Sequence, residues 1–344
     1  MTGAAAGDES WLPTADLATL RQRATLTRAV RTFFDEHGYW EVETPLLSRD
    51  ICVDAWIDPF CVDTTAGGDN ALYLQTSPEF AMKRLLAAGA DAIWQLTRSF
   101  RKDETGRFHN PEFAILEWYR GGDDHHDQMT FTEALVRHVA AQAAEHGAGT
   151  EPLARLAEPI RRLRYDDAFA EFAGMPVLGL ETAELAELAR THGVTVPESL
   201  ASGDGDRDDW LNLLLAEIVE PALAEQGAVF LYDYPASQAA LAKVSDGPPP
   251  VAERFELYLD GIEICNGYHE LTDADELARR MQQQSDRRRA AGLPPLPVES
   301  RLLEAMRAGL PDCAGVALGL DRLVMWSLGR ASVAEVIPFP FDRC

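Results

Sequence analysis

The 344-residue sequence predicts an α+β fold, with antiparallel strands and helices arranged in blocks. Three observations carry this. Short β-like runs cluster between residues 71 and 120 and return from residue 229. An Ala-, Leu- and Glu-rich stretch from about 130 to 226 separates the two groups and reads as mostly helical. Nowhere do strands and helices alternate in a regular βαβ pattern.

The elements follow in order. Leu17, Leu20, Val30, Phe33 and Phe34 fall at helical spacing from Leu17 to His37, and Gly38 stops the helix. Tyr39 to Glu43 alternates as a strand and closes at Thr44-Pro45. Leu72–Gln75, Ile93–Leu96 and Phe113–Trp118 read as strands. A helix begins at Ser77-Pro78-Glu79, with Ser as N-cap and Pro at the first helical position. The helical stretch breaks at 146–150 and 202–208. Strands resume at Phe230–Tyr232, Phe255–Leu259 and Ile262–Cys265. A charged helix spans Asp273 to Ala291, then Gly315–Leu320 leads into a helix from Asp321 to Leu328.

Composition narrows the function. Apolar residues make up 46% and charged residues 25%, an ordinary globular balance. Lys and Arg number 31 against 56 Asp and Glu, a formal charge of −25. That balance opposes a broad grip on nucleic acid, which needs clustered cations. No apolar run is long enough for a membrane helix, and the opening MTGAAAGDES lacks the basic and apolar regions of a secretory signal. Five scattered cysteines without a CxxC fit a reducing cytoplasm better than disulfides or zinc.

Three blocks carry chemistry. Gln95 to Arg120 reads as strand, polar loop, strand. Arginines beside such a loop suit a nucleotide phosphate, because guanidinium presents a planar fork of donors. A solvated hairpin explains the same residues equally well. In the second block Glu256 and Glu263 flank a turn at Asp260-Gly261, so they could converge on one face and hold Mg²⁺ on a triphosphate. Glu270 and Asn266 remain for a substrate amine. Asn266-Gly267 is also open to reading as a structural turn. In the third, Gly315 to Trp326 takes a glycine-bearing strand into a helix. Gly319 admits a ligand close to the backbone and Arg322 in the first helical turn can reach a phosphate, but taken alone the block reads first as an ordinary helix entry.

Together, in this order and spacing, the blocks resemble motifs 2 and 3 of the class II aminoacyl-tRNA synthetases, and Phe33 to Pro45 resembles motif 1. The lysyl-type signatures RHNPEF, NGFxEL and GIDR stand here as Arg107-Phe108-His109-Asn110-Pro111-Glu112-Phe113, Asn266-Gly267-Tyr268-His269-Glu270-Leu271 and Gly319-Leu320-Asp321-Arg322. Thr76-Ser77-Pro78-Glu79-Phe80, Leu116 to Arg120, Tyr234 to Ala239, Val251 to Glu256 and Pro311 to Gly319 narrow the resemblance to the elongation factor P–lysine ligases, from about Trp11 to the end. The motif 1 helix begins near Leu17, leaving no room for the anticodon-reading domain of a lysyl-tRNA synthetase. That gap and the acidic balance argue against tRNA as the partner.

The resemblance implies a single class II synthetase-like catalytic domain over 1–344, an antiparallel sheet flanked by helices with about 130–226 as a helical insertion. It implies a cytoplasmic homodimer joined through motif 1. The expected activity is ATP- and Mg²⁺-dependent adenylation of a lysine, then transfer to a lysine side chain of elongation factor P. By the same resemblance Arg101 binds the α-phosphate and Arg322 the γ-phosphate. Lys102, Asp103, Asn110, Ile264 and Gly319 contribute to the ATP site, with His109 beside them. Glu256 and Glu263 hold Mg²⁺. Ser77, Pro78, Glu79, Tyr119, Asn266, Tyr268, Glu270 and Ala317 form the amino-acid pocket.

Some positions depart from the pattern. The usual Arg-Asn-Glu of motif 2 reads Arg101-Lys102-Asp103, so either Glu104 takes over or the loop sits closer to the nucleotide. Tyr268 replaces Phe. Ala317 replaces the Gly of lysyl-tRNA synthetases, which in the ligases goes with a preference for (R)-β-lysine. Two other readings stay open: a truncated lysyl-tRNA synthetase paralogue charging tRNA, and a non-catalytic synthetase-like binding protein.

Four further signals read as structural. Asp123 to Asp127 is a solvated loop rather than a metal cluster. Asp204, Asp206 and Asp208 mimic an EF-hand start without its glycine or closing Glu. Arg287 to Arg289 is the wet face of a helix. Cys265 and Cys313 are small packing residues.

Overall fold

The computed structural model describes residues 11–62, 71–202 and 205–344. Helix α1 (Leu17–Glu36) is capped by Asp16, whose carboxylate accepts from the Thr19 amide at 2.7 Å. It buries Leu26, Val30, Phe33 and Phe34, while Leu17 stays exposed, and the chain turns at Gly38.

The strands are β1 (Trp40–Glu41), β2 (Leu47–Ser48), β3 (Cys61–Val62), β4 (Leu72–Leu74), β5 (Ala92–Phe100), β6 (Glu112–Gly121), β7 (Arg161–Arg164), β8 (Ala228–Pro235), β9 (Val251–Leu259), β10 (Ile262–His269) and β11 (Cys313–Gly319). Eight form one sheet in the order β1-β5-β6-β11-β10-β9-β8-β7, and β2-β4-β3 form a small second sheet. The inner pairings are antiparallel, as expected, but both edges differ: β1 runs parallel to β5 and β7 parallel to β8. Neither edge pair is a hairpin: the small second sheet and one helix lie between β1 and β5, and a run of helices lies between β7 and β8, connections long enough to bring strands in parallel. The strand expected from Tyr39 to Glu43 pairs over only two residues. The Val42 amide still reaches the Trp94 carbonyl at 2.9 Å before the chain leaves at Thr44-Pro45.

Helix α2 (Glu79–Ala87) starts one residue later than expected, with Pro78 as its cap residue. The Ser77 hydroxyl accepts from the Glu79 amide at 3.1 Å. Helix α3 (His125–Glu145) begins before residue 130, and its Met129, Leu135, Val136 and Val139 join α1 and the back of the sheet in one core. After α4 (Glu151–Arg155) comes β7, which the helical reading of 130–226 missed. Its sequence is Arg-Arg-Leu-Arg, and only Leu163 is buried. Helices α5 (Tyr165–Phe172), α6 (Thr182–Thr191), α7 (Glu198–Ala201), α8 (Arg207–Leu214) and α9 (Glu220–Gln226) follow. Most of this segment packs a second apolar cluster against β7, β8 and β9. Helices α10 (Ala274–Ala290), α11 (Arg301–Gly309) and α12 (Leu320–Ser327) complete the chain. Helix α11 had no counterpart in the sequence reading.

One sheet face collects the chemistry. Cross-strand pairing places Glu256, Asn266, Ala317, Glu117 and Gln95 on one rung across β9, β10, β11, β6 and β5. Arg254, Tyr268, Gly315, Tyr119 and Ile93 make the next rung. The β9–β10 hairpin turns through Asp260 and Gly261, both at positive φ. A bulge between Glu263 and Cys265 shifts the register, so Glu263 pairs with Tyr258 and Asn266 with Glu256. Glu263 and Asn266 therefore share a face despite their odd spacing. Asn266-Gly267 is not a turn but part of β10. A Cβ on Gly267 would stand 2.4 Å from the Phe255 ring, so glycine is required there.

The remaining signals resolve individually. Asp124 caps α3 with Asp127 in a capping box, but His125 is buried, away from solvent. His125 lies near His269, which sits between the Glu253 and Asp312 carboxylates. Asp206 caps α8, whereas Asp204 and the MTGAAAGDES segment lie outside the described residues. The arginine run is not uniformly wet: Arg288 is 1% exposed and donates to the Ile57 carbonyl at 3.1 Å and to Asp58 Oδ1 at 2.5 Å. The step of about 100° per helical residue turns it inward between Arg287 and Arg289, which pair with Asp206 and Asp286. Cys265 and Cys313 are buried, and burial pushes the Cys313 thiol up to about 12, so neither is a ready nucleophile. No helix among the described residues is long and apolar enough to cross a membrane.

Candidate active site

A cavity of about 340 Å³ opens over these rungs. Its two ends differ in charge. One end is cationic. Arg322, in the first turn of α12, donates from Nε to the Phe108 carbonyl (3.1 Å), from Nη1 to the Glu263 carbonyl (2.8 Å) and from Nη2 to His109 Nε2 (2.7 Å). Burial and the Arg322 charge keep the His109 ring below the ordinary histidine range, consistent with an accepting nitrogen. Arg101 lies over the Phe113 ring at 5.2 Å, with Glu104 at 3.8 Å. Its Nε is buried without a partner. An unmatched guanidinium donor in a cleft fits an oxyanion ligand.

The other end is acidic. Glu79, Glu117 and Glu270 are all buried and all line the cavity. Glu117 Oε2 accepts from the Ser77 hydroxyl at 2.8 Å, and Oε1 from the Tyr119 hydroxyl at 2.7 Å. Desolvation first, then the Glu79 charge, pushes Glu117 up to about 8. Desolvation likewise pushes Glu270 up to about 8, against the pull of Lys83. Such a pocket suits an ammonium, whose charge the carboxylates offset.

Ser77, Glu79, Tyr119, Asn266, Tyr268, Glu270 and Ala317 all line the cavity, while Pro78, the cap residue of α2, does not. Arg101, Asn110, Glu263, Ile264, Gly319 and Arg322 line it too. Asn110 is largely committed to the protein, donating to the Glu112 carbonyl at 2.6 Å and accepting from the Phe341 amide at 2.9 Å. Ile264 belongs to the core behind the sheet. A Cβ on Gly319 would touch only Arg322, at an ordinary 3.6 Å, so packing does not demand glycine and the space is free for a ligand.

Lys102 and Asp103 do not line the cavity. Lys102 is exposed and 3.5 Å from Asp58, and the Asp103 side chain is 84% exposed. Glu104 lines the cavity instead, the first of the two alternatives that the Arg-Lys-Asp departure left open. Glu256 borders an adjoining cleft of about 830 Å³. Its carboxylate accepts from the Tyr234 hydroxyl (2.6 Å), the Tyr258 hydroxyl (2.7 Å), the Asn266 amide (3.3 Å) and Arg254. Glu263 is 43% exposed and 3.5 Å from Arg322. As an oxygen ligand for a divalent cation Glu263 fits as it stands, whereas Glu256 fits only after releasing a donor.

Three contributors escaped the sequence reading. Lys83 lies one helical turn after Glu79, a spacing that already signals a pair. Glu117 is a lone acid between Leu116 and Trp118 in a buried strand. Gly315 faces Tyr119, where a Cβ would come within 2.2 Å of the ring and 2.8 Å of Glu270 Oε1.

Comparison with known proteins fits this arrangement. The family model for tRNA synthetases class II (D, K and N) matches residues 14–343. A Vibrio cholerae protein named elongation factor P–(R)-β-lysine ligase is 42% identical over 98% of this chain and 99% of its own. A Salmonella arizonae protein of the same name is 42% identical over 97% of this chain and 98% of its own. The chain belongs to this ligase family. Arg101 and Arg322 at one end and Glu79, Glu117 and Glu270 at the other line one continuous cavity.

Proposed function

We propose that this enzyme activates a lysine with ATP, with (R)-β-lysine favoured, and transfers it to a lysine side chain of elongation factor P. The observation that carries the reading is the acidic pocket of Glu79, Glu117 and Glu270 on the same sheet face as Arg101 and Arg322. In the first step a carboxylate oxygen of the lysine attacks the α-phosphorus, the bond to the bridging oxygen breaks, and pyrophosphate leaves. The work is positioning and charge stabilisation. Arg101 faces the α-phosphate and Arg322 the departing end, while Glu270 and Asn266 hold the amine end. In the second step the acceptor ε-amine attacks the acyl carbon and AMP leaves.

Glu263, with Glu256 beside it, would hold Mg²⁺, which would supply charge neutralisation on the triphosphate. Asp103 and Lys102 stand at the rim rather than on the nucleotide, and Glu104 takes the inward place in the loop. The Ala317 methyl lies between Asn266 and Glu117 on one rung and narrows the pocket where a shifted amino group makes the difference between isomers. The enzyme works in the cytoplasm as one catalytic domain with its helical insertion, paired as a homodimer. Exposed Trp40, Leu46 and Leu47 beside the sheet-edge strand β1 support that pairing.

The test is intact-mass analysis of elongation factor P after incubation with enzyme, ATP, Mg²⁺ and each lysine isomer. A gain of one lysyl unit is expected, largest with (R)-β-lysine. An unchanged mass with every isomer, or acid-labile charging of tRNA instead, overturns the reading.

A further inference from the structure

Two carboxylates of the amine pocket already hold an ammonium from behind. Lys83 does not line the cavity, while both of its partners do. Its Nζ lies 2.6 Å from Glu79 Oε1 and 2.5 Å from Glu270 Oε2, with 2% of the side chain exposed. Burying an ammonium costs several kcal/mol before its partners offset it. Burial opposes the charge on Lys83, yet Glu270 and Glu79 outweigh it and hold the ammonium above the ordinary lysine range.

The geometry gives this expensive arrangement a use. With Oε2 of Glu270 taken by Lys83, Oε1 points to the gap that Gly315 leaves by lacking a side chain, 2.8 Å from where a Cβ would stand. Gly315 lines the cavity, so that oxygen is turned toward it. We propose that Lys83 is a positioning residue for amine recognition, clamping Glu270 from behind so that its other oxygen meets the substrate's ammonium. This rests on the lysine-activating reading above.

The charge environment supports the same role. Glu79 and Lys83 face Glu270 from α2, Glu117 and Tyr119 from β6, Cys313 from β11 and Tyr268 from its own strand. Desolvation, Glu79 and Glu117 all push Glu270 up, and Lys83 pulls it down. Without Lys83 the one charge that pulls Glu270 down is gone, so the carboxylate would hold its proton more tightly and attract a cation less.

The test is equilibrium binding of L-lysine and of β-lysine by calorimetry between about pH 6.5 and 9, for the wild-type enzyme and Lys83→Met, with ATP binding measured alongside. Lys83→Met should lose lysine affinity about tenfold or more at pH 7 and regain it as pH rises, with ATP affinity unchanged, because each unit of upward shift in Glu270 is tenfold in its ionisation. Lys83→Arg, which keeps the cation, should retain most lysine affinity at pH 7. If Lys83→Met matches wild type at every pH, or loses lysine and ATP together without recovery, Lys83 has no positioning role. Lys83→Gln carries the same test should Lys83→Met not fold, and failure of both to fold shows a purely structural pair and overturns the assignment. A wild-type enzyme that binds no lysine overturns the activity itself, a result distinct from any difference between variants.

Discussion

Arg322 holds Glu263 by its backbone: Nη1 donates to the Glu263 carbonyl oxygen at 2.8 Å, and the Glu263 carboxylate stands 3.5 Å from the same nitrogen. The last strand-to-helix junction is thereby fastened to the β9–β10 hairpin across the phosphate end of the cavity. Arg322→Ala removes this tie and the proposed phosphate ligand together. Lysine-dependent ATP–pyrophosphate exchange should fall by about 10²–10³-fold in kcat/KM, with Arg101→Ala comparable. Near wild-type exchange in both variants would remove the arginines from the nucleotide site.

Glu256 and Glu263 should separate in a Mg²⁺ titration. Glu263 has an open carboxylate, so Glu263→Gln should raise the Mg²⁺ concentration needed for half-maximal exchange about tenfold or more. Glu256 has a full set of donors, so Glu256→Gln leaves Arg254 uncompensated and should lower thermal stability by about 3 °C or more. Equal effects of the two changes on the Mg²⁺ requirement would mean that Glu256 releases its donors to bind the cation.

Gly315→Ala should remove the pocket's amine end. The added methyl has no room beside the Tyr119 ring, and overpacking of this kind costs about 1–3 kcal/mol. Lysine affinity should fall well beyond ATP affinity, as competition binding with each ligand would show.

Glu117 and Glu270 set a pH dependence. Both are pushed up to about 8 from an ordinary value near 4.5, so the folded protein holds more protons than the unfolded chain between those limits. Stability of the unliganded enzyme must then fall as pH rises through that window. Calorimetry at pH 6 and pH 8.5 should show a smaller drop in Glu117→Gln, whose neutral amide does not titrate. Lysine should raise the Tm more at pH 8.5 than at pH 6, and equal slopes in wild type and variant would contradict the assignment.

Trp40→Glu should convert the proposed dimer to a monomer in light scattering. Trp40 is half-exposed on a two-residue edge strand, where a charge is compatible with the free surface and not with an apolar partner. An unchanged mass would place the pairing surface elsewhere.

Much of this was legible in the sequence because strands count in twos and helices in threes and fours. Glu256, Asn266 and Glu270 stood out as polar residues in strand-like surroundings, Tyr268 came with the family resemblance, and the Asp260-Gly261 turn marked where two of the strands meet. Lys102 and Asp103 misled because a loop has no such period: adjacency to Arg101 says nothing of which side chain points inward, and Glu104 is the one that does. Strand β7 was hidden by its arginines, and Arg288 by being one of three. In each case a long cationic side chain found a buried or edge position that residue type alone does not reveal.

The bulge in β10 acts as a correction of parity. Three steps separate Glu263 from Asn266, and in an unbroken strand an odd step sends two side chains in opposite directions. The extra residue restores the match, so Glu263 and Asn266 look out of the same side of the sheet. Were the same residues paired without the bulge, every rung from Asn266 onward would stand and Glu263 would turn toward the core behind the sheet. Deleting one residue, by contrast, removes the bulge and the odd step together and keeps the two side chains on one face. What the site depends on is the parity of the path between these two positions, not its length.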